Sequence, residues 1–254
     1  MDKKYFFFDI DGTLTFNRGL SVSPHTMECL ERLRENGHEV FIASGRLQTD
    51  VADMARRFGI DSFVADGGNS VTLHHQILFM HPLPHAECID FLEQLERKQV
   101  PWGVIMKNER FRYARDERIR DLTSGSFLTN VIDPAFDFHE VPQFFKIFVG
   151  CTAENQHRID FGALPVVRFN ENCIYIEPED KSLGIRALMQ ALDAPLKDVV
   201  VFGDGTNDIK MFRKEWFSVA MGNARPALKE KADYITADCD QDGIFQACQH
   251  FGWI

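Results

Sequence analysis

The sequence predicts an α/β fold, a doubly wound parallel-sheet core interrupted by an inserted α+β domain, on three observations. The first third alternates short apolar runs with helical segments, the last third repeats that style, and residues 83–178 between them change to a texture of alternating strands. No low-complexity linker or internal repeat competes with this division.

Each element has its own local reason. YFFFDI (5–10) is an apolar run closed by a turn residue, Gly12, as expected of a strand buried on both faces. Pro24 and Gly37 frame a helix over 24–36, one inside its start and the other just past its end. EVFIAS (39–44) is a second strand, LQTDVADMARRF (47–58) a second helix and SFVA (62–65) a third strand. Such βαβαβ order implies parallel pairing with right-handed crossovers. In the last third, a helix from about Ser182 to Leu192 precedes the strand DVVVFG (198–203), a helix is expected after Gly205, and a strand lies near FSVAM (217–221). The middle reads as a helix, the strands GVIMK and RFRYA, then KIFVG, a helix near 153–160, and the pair VVRFN and CIYIE. The expected boundaries are therefore 1–82 with 179–254 for the core and 83–178 for the insertion.

Composition narrows the function classes. The 254 residues, 44% hydrophobic and 26% charged, suit one large domain or two ordinary ones. No apolar run approaches the roughly 18 residues of a membrane span. Residues 1–10 lack the pattern of a secretory signal. The expectation is a soluble, cytoplasmic chain with no membrane partner and no evident obligate protein partner. Six cysteines are scattered without a CxxC pair, which argues against a zinc or redox motif and for buried free thiols in a reducing compartment. A net charge of -10 disfavours nucleic acid, so any anionic ligand must be met by a few local cations.

Four fragments carry chemistry: DIDGT (9–13), SGR (44–46), Lys181 ahead of a helix, and GDGTND (203–208). All but the lysine directly follow expected parallel strands, whose carboxyl ends are where open α/β sheets bind ligands. If the first and last fragments end neighbouring strands, Asp9, Asp11, Asp204 and Asp208 converge on one small volume. Clustered carboxylates cannot all stay ionised without a cation, and a few oxygen ligands beside a phosphate suit Mg²⁺. Lys181 and the Ser44 hydroxyl supply donors for phosphate oxygens. These are the parts of a phosphoryl-transfer site with an aspartate nucleophile.

The fragments resemble the four motifs of the haloacid dehalogenase superfamily of phosphatases. Their order and the large insertion between the second and third are similar to the Cof-type branch, subfamily IIB, with its C2-type α+β cap. The resemblance extends over nearly the whole chain, including ADYITADCDQDGI. It implies a Mg²⁺-dependent phosphatase of small-molecule phosphate esters, sugar phosphates being the family expectation, acting through an aspartyl-phosphate. By position, Asp9 would be the nucleophile, while Asp11 would protonate the leaving oxygen and later activate water. Ser44 and Lys181 would hold phosphoryl oxygens, with Gly12, Gly45, Arg46 and Asn207 around the substrate. Asp9, the Asp11 carbonyl and Asp204 would bind Mg²⁺, and Asp208 would support the metal or orient Lys181. The branch often has Asn-Gly where this chain has Asp66-Gly67, leaving Asn69 as the candidate substitute. A sugar phosphomutase is the alternative within phosphoryl transfer. A non-catalytic phosphate sensor would require a damaged motif, and none of the four is damaged.

Other features are weaker. DCDQDG (238–243) opens like a calcium loop, but the twelfth position is Gln249 rather than a bidentate glutamate, so a surface turn before the final helix is expected. His74 and His75 read as exposed residues of a hairpin. KNERFRYARDERIR (107–120) holds six cationic residues against three acidic ones, ordinarily a solvated face. Within it Arg110 and Arg112 alternate with Phe111 and Tyr113, which places both guanidiniums on one sheet face. The insertion is expected to select the substrate, with these two arginines as candidates.

Overall fold

The computed structural model describes residues 2–17, 20–123 and 128–254. In chain order the elements are β1 (Tyr5–Phe8), α1 (Pro24–Glu35), β2 (Glu39–Ala43), α2 (Gln48–Arg57), β3 (Phe63–Ala65), β4 (Ser70–Leu73) and β5 (Gln76–Met80). Then come α3 (His85–Arg97), β6 (Trp102–Ile105), β7 (Phe111–Ala114), α4 (Ile119–Leu122), β8 (Thr129–Ile132), β9 (Lys146–Gly150), β10 (Val166–Arg168) and β11 (Cys173–Ile176). The chain ends with α5 (Lys181–Ala191), β12 (Val199–Gly203), β13 (Phe217–Ala220), α6 (Pro226–Lys229), β14 (Tyr234–Ile235) and α7 (Gly243–His250). Two compact units result, Met1–Met80 with Glu179–Ile254, and His81–Pro178.

The first unit is built on an eight-stranded sheet of order β14-β13-β12-β1-β2-β3-β4-β5. Its first six strands are parallel, and β4 and β5 form an antiparallel hairpin at one edge. From β1 the chain winds outward through β2 and β3, and after the insertion it returns to β1's other side through β12. That reversal puts the crevice at the carboxyl ends of β1 and β12. Phe6, Phe7 and Phe8 are fully buried because β1 is central and covered on both faces. Phe7 stacks on Phe41 at 4.7 Å and Phe8 on Phe202 at 4.8 Å, while Phe6 meets Trp253 edge-on at 5.0 Å. Burying one such ring contributes roughly 1.5–3 kcal/mol. The hairpin turn places His74 and His75 at φ of 48° and 64°, and His74 pairs with Asp61 at 3.1 Å.

The helix expected after Gly205 is a single 3₁₀ turn, Thr206–Asp208. The Asp208 carboxylate bends back over its start and accepts from the Asp204 and Gly205 N–H groups at 3.0 and 2.9 Å. The helix expected near 153–160 is likewise one 3₁₀ turn, Gln156–Arg158, with no buried residue and so no apolar face to hold a longer helix. The turn before α7 is Cys239–Gln241, after which Asp242 pairs with His25 at 2.8 Å.

The second unit is a six-stranded sheet of order β10-β11-β9-β6-β7-β8. Cys88, Phe91, Leu92 and Leu95 of α3 join Trp102, Val104, Ile147, Val149, Ile174 and Ile176 in its core. Here one expectation is corrected: β7 begins at Phe111, and Arg112 is buried in the sheet rather than part of a solvated face. It is 1% exposed, its Nε and Nη2 donate to Asn130 Oδ1 at 2.8 and 2.6 Å, and its guanidinium lies 4.6 Å from the Phe148 ring centroid. The opposing strand makes room with Gly103, where a Cβ would sit 2.8 Å from Arg112 Cγ. Arg110 precedes the strand, and its carbonyl accepts from Thr129 N at 2.9 Å.

Candidate active site

Asp9 is the first residue past β1, and its N–H still donates to Phe202 O of β12 at 3.0 Å. The carboxylate is therefore anchored by the sheet yet sits at its rim. The chain then turns tightly, Leu14 N donating to Asp9 O at 3.2 Å and Thr15 N to Ile10 O at 2.8 Å. Gly12 is obligatory in that turn: its φ is +86°, and a Cβ there would lie 2.2 Å from Asp204 Oδ2. Asp204 and Asp208 follow β12, the neighbour of β1. Lys181 arrives from another direction as the first residue of α5, a helix capped by Asp180, which accepts from Ser182 N at 3.2 Å and is held by Arg213 at 3.0 Å.

Lys181 is 1% exposed and its Nζ donates to Asp9 Oδ1 at 2.6 Å and to Asp208 Oδ1 at 2.5 Å. Ligand oxygens of Asp9, Asp204 and Asp208 lie within 4.8 Å of one another. One ammonium does not balance three carboxylates. Burial, only partly offset by Lys181, raises the Asp9 carboxyl well above its usual range, with Asp208, Asp204 and Asp11 adding to the rise. Burial and then the Asp208 charge push Asp204 up to about 7. Groups in this condition are short of a cation, and hard oxygen donors fit a divalent metal. Asp208 is already committed to Lys181 and two N–H groups, so the carboxylates left for a metal are Asp9 and Asp204.

The remaining sequence candidates fall around this centre. Asp11 is exposed, and its carboxylate turns to Arg46 in a two-pronged pair, Nε to Oδ2 at 2.7 Å and Nη2 to Oδ1 at 2.6 Å. Ser44 is the first residue past β2, 2% exposed, with its Oγ accepting from Arg46 N at 3.2 Å. Gly45 lies between these two in the same loop, half-buried. Asn207 sits in the turn after Asp204, its Oδ1 2.3 Å from where a Gly205 Cβ would be. Asp66 accepts from Gln48 N at 3.2 Å, so this carboxylate caps the start of α2, whose own N-cap residue, Leu47, has no side-chain acceptor. Asn69 closes the 3₁₀ turn that follows, its N–H on Asp66 O at 3.2 Å.

Two residues not assigned roles from the sequence touch the Asp204 carboxylate: Thr13 Oγ1 reaches Oδ1 at 3.2 Å, and Asn223 Nδ2 lies 3.5 Å from Oδ2. Asn223 lies in the loop that follows β13, three residues past the strand's carboxyl end at Ala220, so its position marked it less clearly than Asp9 and Asp204.

Residues 6–248 match the sequence profile of the haloacid dehalogenase-like hydrolases. The chain belongs to that family. This hydrolase is 32% identical to a Bacillus subtilis (strain 168) protein, YkrA, which carries a phosphatase name, over 99% of both chains. Among solved structures it is similar to a Geobacillus kaustophilus HTA426 protein, with 29% identity, full coverage of both chains and a TM-score of 0.87. It is also similar to the subclass IIB sugar phosphatase BT4131, with 26% identity, coverage of 99% of this chain and 100% of that one, and a TM-score of 0.80. The hydrolase is thus a phosphatase of the Cof-type branch. Among the described residues no helix is long and apolar enough to cross a membrane.

Proposed function

We propose that the chain is a Mg²⁺-dependent phosphomonoesterase of small phosphate esters, sugar phosphates in the first place, working through an aspartyl-phosphate on Asp9. The observation that carries this reading is the state of the Asp9 carboxylate. Lys181 fixes Oδ1, while among the described residues no donor reaches Oδ2. One oxygen is thus held and oriented, and the other is left to attack phosphorus. A bound Mg²⁺ on Asp9, Asp204 and the Asp11 carbonyl would neutralise phosphoryl charge and keep Asp9 ionised.

The chain's own residues supply the rest. Asp9 Oδ2 forms a bond to phosphorus as the ester P–O bond breaks, and Asp11 gives the leaving oxygen its proton. Asp11 then takes a proton from water, whose oxygen attacks the phosphorus of the aspartyl-phosphate and releases Asp9 and inorganic phosphate. In the resting geometry Arg46 occupies both Asp11 oxygens, so Asp11 must leave that pair to reach a leaving group. Lys181 and Ser44 are the donors for non-bridging oxygens, together with Asn207. The sugar-phosphate preference draws support from BT4131, described as a sugar phosphatase. Choice among esters falls to the inserted unit, because the four core fragments deal only with the phosphoryl group and its metal.

Asp9→Asn tests the reading. The expected result is loss of turnover by a factor of about a thousand or more, at least roughly 4 kcal/mol in the barrier. Beryllium fluoride with Mg²⁺ should load the wild type and not the variant. Retention of a tenth of wild-type activity would remove Asp9 from the nucleophile's role.

A further inference from the structure

Asn223 stands on the loop after β13, solvent-exposed by area yet held at both ends of its amide. Its Oδ1 accepts from Cys239 N at 2.8 Å, and its Nδ2 donates to Gly12 O at 2.8 Å and faces Asp204 Oδ2 at 3.5 Å. The amide orientation follows from its partners: the reverse would set N–H against N–H at Cys239 and oxygen against oxygen at Gly12. One residue further the loop reaches Ala224, and Arg225 N then donates to Asp204 O at 2.9 Å. The loop after β13 therefore grips Asp204 by backbone and side chain, while Thr13 holds the other carboxylate oxygen at 3.2 Å.

We infer that Asn223 is a positioning residue for the metal centre, a clasp that aims the Asp204 carboxylate and ties the Gly12 turn beside it. The inference rests on the proposed divalent-metal site. Asp204 would otherwise be a half-buried carboxylate on a loop, repelled by Asp208 and Asp9, and free to rotate away from the shared volume. An Asn amide opposes that motion without adding charge. It also links three loops, those following β1, β12 and β13, with the turn before α7, alongside backbone bonds such as Gly222 N to Ala237 O at 2.9 Å.

Partners that orient a ligating carboxylate typically govern metal affinity by 10–100-fold. The test is Mg²⁺ binding to the full chain by isothermal titration calorimetry, for the wild type, Asn223→Leu and Asn223→Ala. Leucine nearly keeps the volume and removes both hydrogen-bonding functions, and alanine serves if leucine crowds the loop. The expected result is a dissociation constant raised about 10-fold or more in each variant. Melting temperature without metal should stay within a few degrees of wild type, and kcat should recover toward wild type at saturating Mg²⁺. Variants that lose metal-free stability but bind Mg²⁺ with wild-type affinity would show a mere loop tie and overturn the inference alone. A wild type with no saturable binding would overturn the metal reading and this inference with it.

Discussion

Lys181→Met removes a charge while keeping a side chain of similar reach, and the structure sets the size of the effect. Lys181 stands between Asp9 and Asp208, which are 4% and 0% exposed, with Nζ–O distances of 2.6 and 2.5 Å. Taking one partner out of a buried ion pair costs about 3–5 kcal/mol, because the charge left behind has lost both water and its counterion. Here two carboxylates are left. Asp9 is already raised by burial, and Lys181 is the group that opposes this rise. Without the lysine its carboxyl is raised further, which favours the protonated form over an unpaired buried carboxylate. The loss is thereby pH-dependent: since the folded pKa exceeds the unfolded one, destabilisation grows as pH rises toward the folded value and shrinks as it falls. We expect unfolding free energy, from urea titration, to drop by about 3–5 kcal/mol at pH 8 and by clearly less at pH 5.5. Phosphate release should fall at least about a thousandfold, since a protonated Asp9 is no nucleophile. A variant within about 1 kcal/mol of wild type at pH 8, or one keeping a tenth of its activity, would refute the reasoning.

Three further outcomes follow from the geometry. Asp11→Asn should slow phosphorylation by alkyl phosphates far more than by an activated aryl ester, which departs without a proton; equal slowing in single-turnover measurements would remove Asp11 from the general-acid role. Burial raises Asp204 to about 7 against an ordinary 3.8, so what this group adds to stability is present below about pH 4 and is lost as pH rises through about 7, with Asp9 shifted in the same direction. Mg²⁺ should therefore raise the melting temperature more at pH 7.5 than at pH 5.5, and Asp204→Asn should abolish most of that difference. Arg112→Ala should lower stability by about 2–4 kcal/mol, through a cavity over Gly103 and an unpaired Asn130, and a variant as stable as wild type would mean the guanidinium is not packed as described.

Much of the core was legible because its elements advertise themselves locally. A run of three phenylalanines has no polar face, so its burial on both sides is implied before any neighbour is known. The Asp-x-Asp-Gly turn and the Gly-Asp-Gly turn announce the ends of their strands. Less legible was what a face would touch. Alternation put Arg110 and Arg112 on one face, but Arg110 precedes β7, and periodicity carries no information about Gly103 on the neighbouring strand or the Phe148 ring beside Arg112. Helical reach was also misjudged at Gly205, where the structure has only the 3₁₀ turn Thr206–Asp208.

The sequence alone determined the alternating α/β order, the interruption by a second unit, and the chemistry available at each strand end: carboxylates, a hydroxyl, a lysine and glycines that permit close approach. Only the tertiary structure decided that β1 and β12 are neighbours, which brings Asp9 within a few ångströms of residues almost two hundred positions away. It alone decided that Lys181 is shared by two acids, that Arg46 holds Asp11, and that Asn223 braces Asp204. The physical reason is the range of the interactions. Strand and turn preferences act over a few residues and are written in them, whereas charge balance in a buried cluster depends on which distant groups share the same few ångströms of low-dielectric space, and that is a property of the folded chain.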